Sequence, residues 1–135
     1  MPSIFTRIIH RELPAHIIAE DENFIAFLDI TPLVMGHTLV VPKKEIDYIF
    51  DLDDAQLGNL HVFAKRVAAA VRKAMPCKRI GVAVIGLEVP HAHIHLVPMN
   101  SADDLNFTRP KLKPGADELA QVAEKIRAAY ATPSA

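Results

Sequence analysis

The chain has 135 residues, half of them hydrophobic and 23% charged, which suits one folded domain, residues 1–135, with a single core. Its formal net charge of −1 excludes a general electrostatic grip on nucleic acid, so any bound anion needs a local site.

Ile4, Phe5, Ile8 and Ile9 recur at helical spacing, and Pro14 stops any extension, so residues 4–10 read as a short helix. Two β-like runs follow, HIIAE at 16–20 and FIAFLDI at 24–30, with Asp21–Asn23 as the turn between them. A loop over 32–36 leads to a strand HTLVVP at 37–42. A long helix starts near Asp53, a capping residue with Gln56 three positions on, as in a capping box. Its apolar stripe runs through Leu57, Leu60, Phe63, Ala64, Val67, Ala68 and Val71, and Pro76 marks its end. RIGVAVIGL at 79–87 reads as a largely buried strand, and a further strand runs from after Pro90 to about Met99. Residues 100–114 form a loop, in which Arg109 and Lys111 could meet a phosphate, although solvated charges are the expected reading. A last helix after Gly115 carries Leu119, Val122, Ala123, Ile126 and Tyr130 on one face. The sum is an α+β domain with a mainly antiparallel sheet. Cys77 is the only cysteine, so there is no disulfide framework or thiolate cluster. No run is apolar enough to span a membrane and no secretory signal opens the chain, so a cytoplasmic setting without membrane contact is expected.

The stretch PHAHIHLVP at 90–98 holds three of the seven histidines. On a strand, His91, His93 and His95 line one face while Ala92, Ile94 and Leu96 point into apolar packing. Such a set handles either a metal or a phosphate. A metal would need a further ligand from His37, Asp29 or Glu45. Phosphate chemistry fits better. A neutral imidazole is a competent nucleophile, its neighbours can donate and accept protons, and like charges keep the set from protonating fully.

His91-Ala92-His93-Ile94-His95-Leu96-Val97 matches the histidine triad (HIT) motif, in which three histidines alternate with apolar residues. IFTRII at 4–9, ELPAHIIAEDENFIAFLDITP at 12–32 and GHTLVVPKK at 36–44 also resemble the Hint branch of that superfamily, so the likeness covers most of residues 3–99. The resemblance implies a HIT-like fold: a five-stranded sheet, a long helix and a shorter N-terminal helix, with the C-terminal helix and the rest of 100–135 outside the motif-bearing core. It implies a nucleotide hydrolase or nucleotidyl transferase that works through a covalent nucleotidyl-His93 and needs no cofactor. His91 and His95 would contact phosphate oxygens and the leaving group, and His37 would orient the site. Asp29 would accept hydrogen bonds from both ribose hydroxyls. Ile4, Phe5, Ile8, Leu13, Phe27, Leu28 and Ile30 would wall the base. A nucleoside phosphoramidate such as adenosine phosphoramidate is the first expected substrate, with dinucleoside polyphosphates second. The expected ligand is a small, purine nucleotide. A homodimer joined through 79–87 is implied as well, since an apolar strand without charge is a hazardous free edge.

Two departures stand out. Where some members hold zinc through two cysteines, a histidine and the first triad histidine, this chain has Ser3, Thr6 and Glu45, so no such zinc is expected. Ahead of the triad, Leu87 and Glu88 stand where the Hint pattern has Gln and Ser or Thr, and VAVIG lacks its Asn. A buried, protonated Glu88 would serve as a general acid. The lost donors leave open a nucleotide-binding regulatory protein with weak turnover, and metal binding through the triad is a further alternative. His10 and His16 read as surface residues, and His61 as packing at the margin of the long helix.

Overall fold

The computed structural model describes residues 2–131. Its helices are α1 (Ile4–Ile9), α2 (Asp54–Ala74) and α3 (Ala116–Ala131), with short 3-10 turns at Ile49–Asp51 and Ala102–Leu105. The strands are β1 (Ile17–Glu20), β2 (Phe24–Leu28), β3 (Thr38–Pro42), β4 (Arg79–Ala83) and β5 (Ile94–Met99). They form one antiparallel sheet in the order β1-β2-β3-β5-β4, the α+β architecture expected.

Strand alternation sorts the core into two sides. Phe24, Ala26 and Leu28 of β2, Val40 of β3 and Ile94 and Leu96 of β5 pack under α2 and α3. Ile25 and Phe27 of β2 and Leu39 and Val41 of β3 face the other way and meet Phe5 and Ile8 of α1. The histidines belong to this second side. Helix α2 is held by Leu60, Phe63, Val67 and Val71, all buried, each contributing roughly 1.5–3 kcal/mol of hydrophobic stabilisation. Asp53 caps it, its Oδ1 accepting the Gln56 N–H at 2.7 Å. The reciprocal half of the capping box is not made, because the buried Gln56 Oε1 has no partner. Helix α3 docks against β1, where Arg127 Nη1 donates to the Ile17 carbonyl at 2.7 Å beside an irregularity in the β1–β2 register.

Three strand boundaries differ from the sequence reading. β2 ends at Leu28, two residues early, which leaves Asp29 in a loop at the strand's end. β4 covers only 79–83 and pairs with β5 alone, so the expected buried strand is instead an exposed sheet edge. Val82, Val84, Ile85 and Leu87 are all exposed there, Leu87 by 88%. β5 starts at Ile94 and not after Pro90. Ahead of it the backbone bonds irregularly, His91 N–H to Val89 O and Ala92 N–H to the distant Ile46 O, in place of a strand ladder. Among the described residues no helix is long and apolar enough to cross a membrane.

Gly36 sets the approach to β3. Its φ is +95°, and a Cβ there would meet Met75 Cγ at 2.9 Å and Pro98 Cγ at 3.2 Å. Only glycine combines that conformation with so close an approach, and the next residue is His37.

Candidate active site

Although only His95 lies within β5, the alternation of the triad persists through the extended residues before it. Ala92, Ile94 and Leu96 enter the core under α2, and the three imidazoles gather on the α1 side. Phe5 lies edge-on to both His91 and His93, with ring centroids 5.7 and 4.9 Å apart, and His93 meets His95 at 4.9 Å. All three histidines and His37 are buried, so none of them is a solvated surface residue.

Hydrogen-bond partners fix which ring nitrogen carries each proton. The Leu33 N–H can only donate, and it reaches His37 Nδ1 at 3.1 Å. The proton of His37 is therefore on Nε2, which donates to His95 Nδ1 at 2.9 Å. His95 must then carry its own proton on Nε2. The carbonyl of His91 can only accept, and His93 Nδ1 donates to it at 2.7 Å. That leaves the lone pair of His93 on Nε2. One imidazole thus presents a lone pair while its neighbour two residues on presents an N–H.

His91 supports this pair from behind. Its Nε2 donates to the Pro42 carbonyl at 2.8 Å, and its Nδ1 accepts from the Ser3 hydroxyl at 2.7 Å. Ser3 also caps α1, its Oγ accepting the Thr6 N–H at 3.0 Å. Glu45 Oε1 accepts from the Ser3 N–H at 2.7 Å and from the Thr6 hydroxyl at 2.6 Å. The Ser3 N–H and the Thr6 hydroxyl, in that order of effect, hold the Glu45 carboxyl below its ordinary range. The four positions singled out by the zinc comparison do come together. Two hydroxyls, one carboxylate and one imidazole are a poor donor set for zinc, and here they satisfy one another. Ser3 and Glu45 thereby hold His91, whose carbonyl in turn orients His93.

Burial is the main electrostatic influence on the histidines. It lowers the pKa of His37 to about 4, with the Lys111 ammonium and His93 acting in the same direction. It lowers His95 to about 3, helped by His93 and His37 and opposed by Asp29. Burial also lowers His91, offset in part by its bond to Pro42 and by Glu45. Asp29 Oδ2 lies 3.8 Å from His37 Nε2, and its Oδ1 accepts from the Thr31 N–H at 2.9 Å. Asp29, His37 and His95 each present a ligand atom within 4.8 Å of the others. The bond between His37 and His95 and the Leu33 contact already use the facing nitrogens of that group.

A cavity of about 520 Å³ opens beside the triad, a size that suits a small ligand. Ile4, Phe5, Asp29, Ile30, His93 and His95 line it. Ile8, Leu13 and Phe27 lie behind Phe5 in the same apolar cluster. Leu28 does not belong to this wall. It packs under α2 and α3, because strand alternation sends it to the opposite face from Phe27. Glu88 lines the cavity but is exposed, without the burial expected of a protonated carboxyl. Leu39, Val89 and Phe107 also line it and were not singled out as site residues by the sequence, and Lys111, read there as a solvated charge, lines it too. Leu39 was legible in retrospect, since it shares a face with Val41 and sits directly opposite His95 on β5. Phe107 and Lys111 stand in an irregular segment that carries no periodic signal. Of the other histidines, His10 is exposed, His16 half-buried and His61 exposed, with His61 Nδ1 donating to the Leu57 carbonyl at 2.9 Å. His61 is therefore not core packing but part of a neighbouring apolar groove with Tyr48, Phe50 and Ile85.

The comparisons agree with this geometry. The HIT domain model matches residues 10–102. An uncharacterised HIT-like protein of Borreliella burgdorferi is 34% identical over 113 residues, spanning 78% of this chain and 81% of the relative. A crystal structure of a HIT-like protein of Bartonella henselae, described as involved in cell-cycle regulation, superposes with a TM-score of 0.81 at 32% identity. That match covers 94% of this chain and 95% of the other. A zinc-bound histidine triad protein of Mycobacterium smegmatis gives 0.80 at 30% identity, over 95% and 92% of the two chains. Such membership supports a nucleotide-binding hydrolase or transferase as the kind of function. The alternating imidazoles, the sheet that presents them and a family match running from just after α1 to past β5 all lead to one conclusion: this chain belongs to the HIT domain family.

Proposed function

We propose that the chain cleaves a nucleoside 5′-phosphate derivative at its α-phosphorus through a covalent nucleotidyl-His93 and releases a nucleoside monophosphate. The observation that carries this reading is the proton arrangement, with a lone pair on His93 Nε2 and a proton on the Nε2 of neighbouring His95. His93 Nε2 forms a bond to phosphorus, and the bond to the leaving nitrogen or oxygen breaks with its electron pair, which takes up a proton from solvent as the group departs. His95 and backbone donors meet the charge on the phosphoryl oxygens. Water then cleaves the P–N bond, its hydroxide joining phosphorus and its proton going to solvent, and His93 is regenerated. Asp29 accepts from the ribose hydroxyls, and Ile4, Phe5 and Ile30 enclose a purine.

Adenosine phosphoramidate is the first substrate to test, with phosphorus NMR following AMP release. The expected result is release by the wild-type protein and none by His93→Ala. AMP binding without release would favour the second reading, a nucleotide-binding regulator. Leu87 and Glu88, in place of neutral donors at the cavity, are what favour that alternative.

The protein acts as a homodimer in this reading. The free edge of β4 and the exposed Val82, Val84, Ile85 and Leu87 support it, because an uncovered apolar strand edge invites pairing with a second copy.

A further inference from the structure

The charges around the cavity do not balance for a phosphate ligand. Asp29 and Glu88 both line it, and a carboxylate near a phosphate is repulsive. His37 and His95 are kept neutral at pH 7 by burial, so they offer hydrogen bonds without positive charge. Among the described residues that line the cavity, Lys111 is the only lysine or arginine. It lies beyond residues 10–102, the part of the chain that the family model matches.

The segment that carries Lys111 is tied into the site. The Phe107 ring packs edge-on against His95 and His37, with centroids 4.8 and 6.0 Å apart. Lys111 Nζ donates to the Phe107 carbonyl at 3.0 Å. The Leu112 N–H donates to the Pro32 carbonyl at 2.9 Å, which joins the segment to the loop after Asp29. Arg109, the other nearby cation, is committed elsewhere, 3.5 Å from Asp103 and 3.4 Å from Asp104. Among the described residues no carboxylate pairs with Lys111 in this way.

We propose that Lys111 is the phosphate-binding cation of this site, brought beside His95 by a C-terminal segment outside the matched family core. The inference rests on the nucleotide reading and names the group that supplies countercharge where Leu87 and Glu88 replace neutral donors. On binding, the ammonium exchanges a hydrogen bond to a neutral carbonyl for a stronger, charge-assisted one to a phosphate oxygen. The ligand class is a nucleoside carrying a 5′-phosphate, held more tightly than the same nucleoside without it.

Calorimetric titration of AMP and of adenosine into the wild-type, Lys111→Met and Lys111→Arg proteins separates the phosphate from the nucleoside. The wild-type protein should prefer AMP. Lys111→Met should lose about tenfold of that preference, the low end for a hydrogen bond to a charged group, and Lys111→Arg should retain most of it. An undiminished preference in Lys111→Met overturns the inference, as does equal weakening of both ligands or a wild-type protein that does not prefer AMP. The titration needs no turnover. A protein that binds as described yet forms no nucleotidyl-histidine refutes the covalent step and leaves the role of Lys111 standing.

Discussion

Acidification from about pH 7.5 to about pH 5 should destabilise the fold through its buried histidines. In an unfolded chain a histidine titrates near 6.5, whereas folded His37 and His95 have values of about 4 and about 3. Above about pH 6.5 neither state binds protons at these sites, and the full stability is present. Below it only the unfolded chain takes them up, so stability falls as pH falls, by about 1.4 kcal/mol per unit for each histidine. At about pH 5 this amounts to roughly 2 kcal/mol each and about 4 kcal/mol for the pair. His91, also lowered by burial, acts in the same direction. Asp29, Lys111 and His93 are the charged or titratable groups that bear on the pair. The carboxyls of Glu20, Glu45 and Asp104 are held below their ordinary values, so their titration lies under this window. Urea unfolding at half-unit pH steps measures the slope. A stability that stays flat down to about pH 5, or a His37→Gln variant with an undiminished slope, would refute the reasoning.

Three further outcomes follow from the same contacts. Ser3→Ala removes both the α1 cap and the hydroxyl on His91 Nδ1; it should cost about 2 kcal/mol in urea unfolding, and a loss under about 0.5 kcal/mol would show that the network does not hold His91. Gly36→Ala forces a side chain into a φ of +95° against Met75 and Pro98, so a loss of at least about 1–3 kcal/mol is expected, while a neutral substitution would contradict the packing described. Val82→Lys places a charge on the free β4 edge and should convert a dimer to a monomer by sedimentation equilibrium; a wild-type mass of one chain would remove the dimer from the account.

Much of this fold was legible because its signals are local and periodic. The α2 stripe, the Asp53 cap and the alternation in β2 and β3 each follow from single-residue chemistry repeated at a fixed spacing. The motif placed His91, His93 and His95 on one face even though the strand itself begins at Ile94, since alternation needs only extended backbone and no ladder. Burial of β4 was misread because an apolar run does not reveal whether a second neighbour exists in the sheet. Leu28 was assigned to the base wall by resemblance, while the parity that unites it with Phe24 and Ala26 sends it to the helical side. Phe107 escaped notice and Lys111 was read as a solvated charge, because their place depends on tertiary ties, the ring contact with His95 and the Leu112–Pro32 bond, which leave no pattern in sequence.

The central claim is that His93 Nε2 is the nucleophile. Rapid acid quench of the protein mixed with adenosine phosphoramidate, followed by intact mass measurement and peptide mapping, tests it most directly. The account predicts one adenylyl group on His93, absent from His93→Ala and still formed at a reduced rate in Ser3→Ala. AMP released by the wild-type protein with no adduct, or an adduct carried by another histidine, would contradict it.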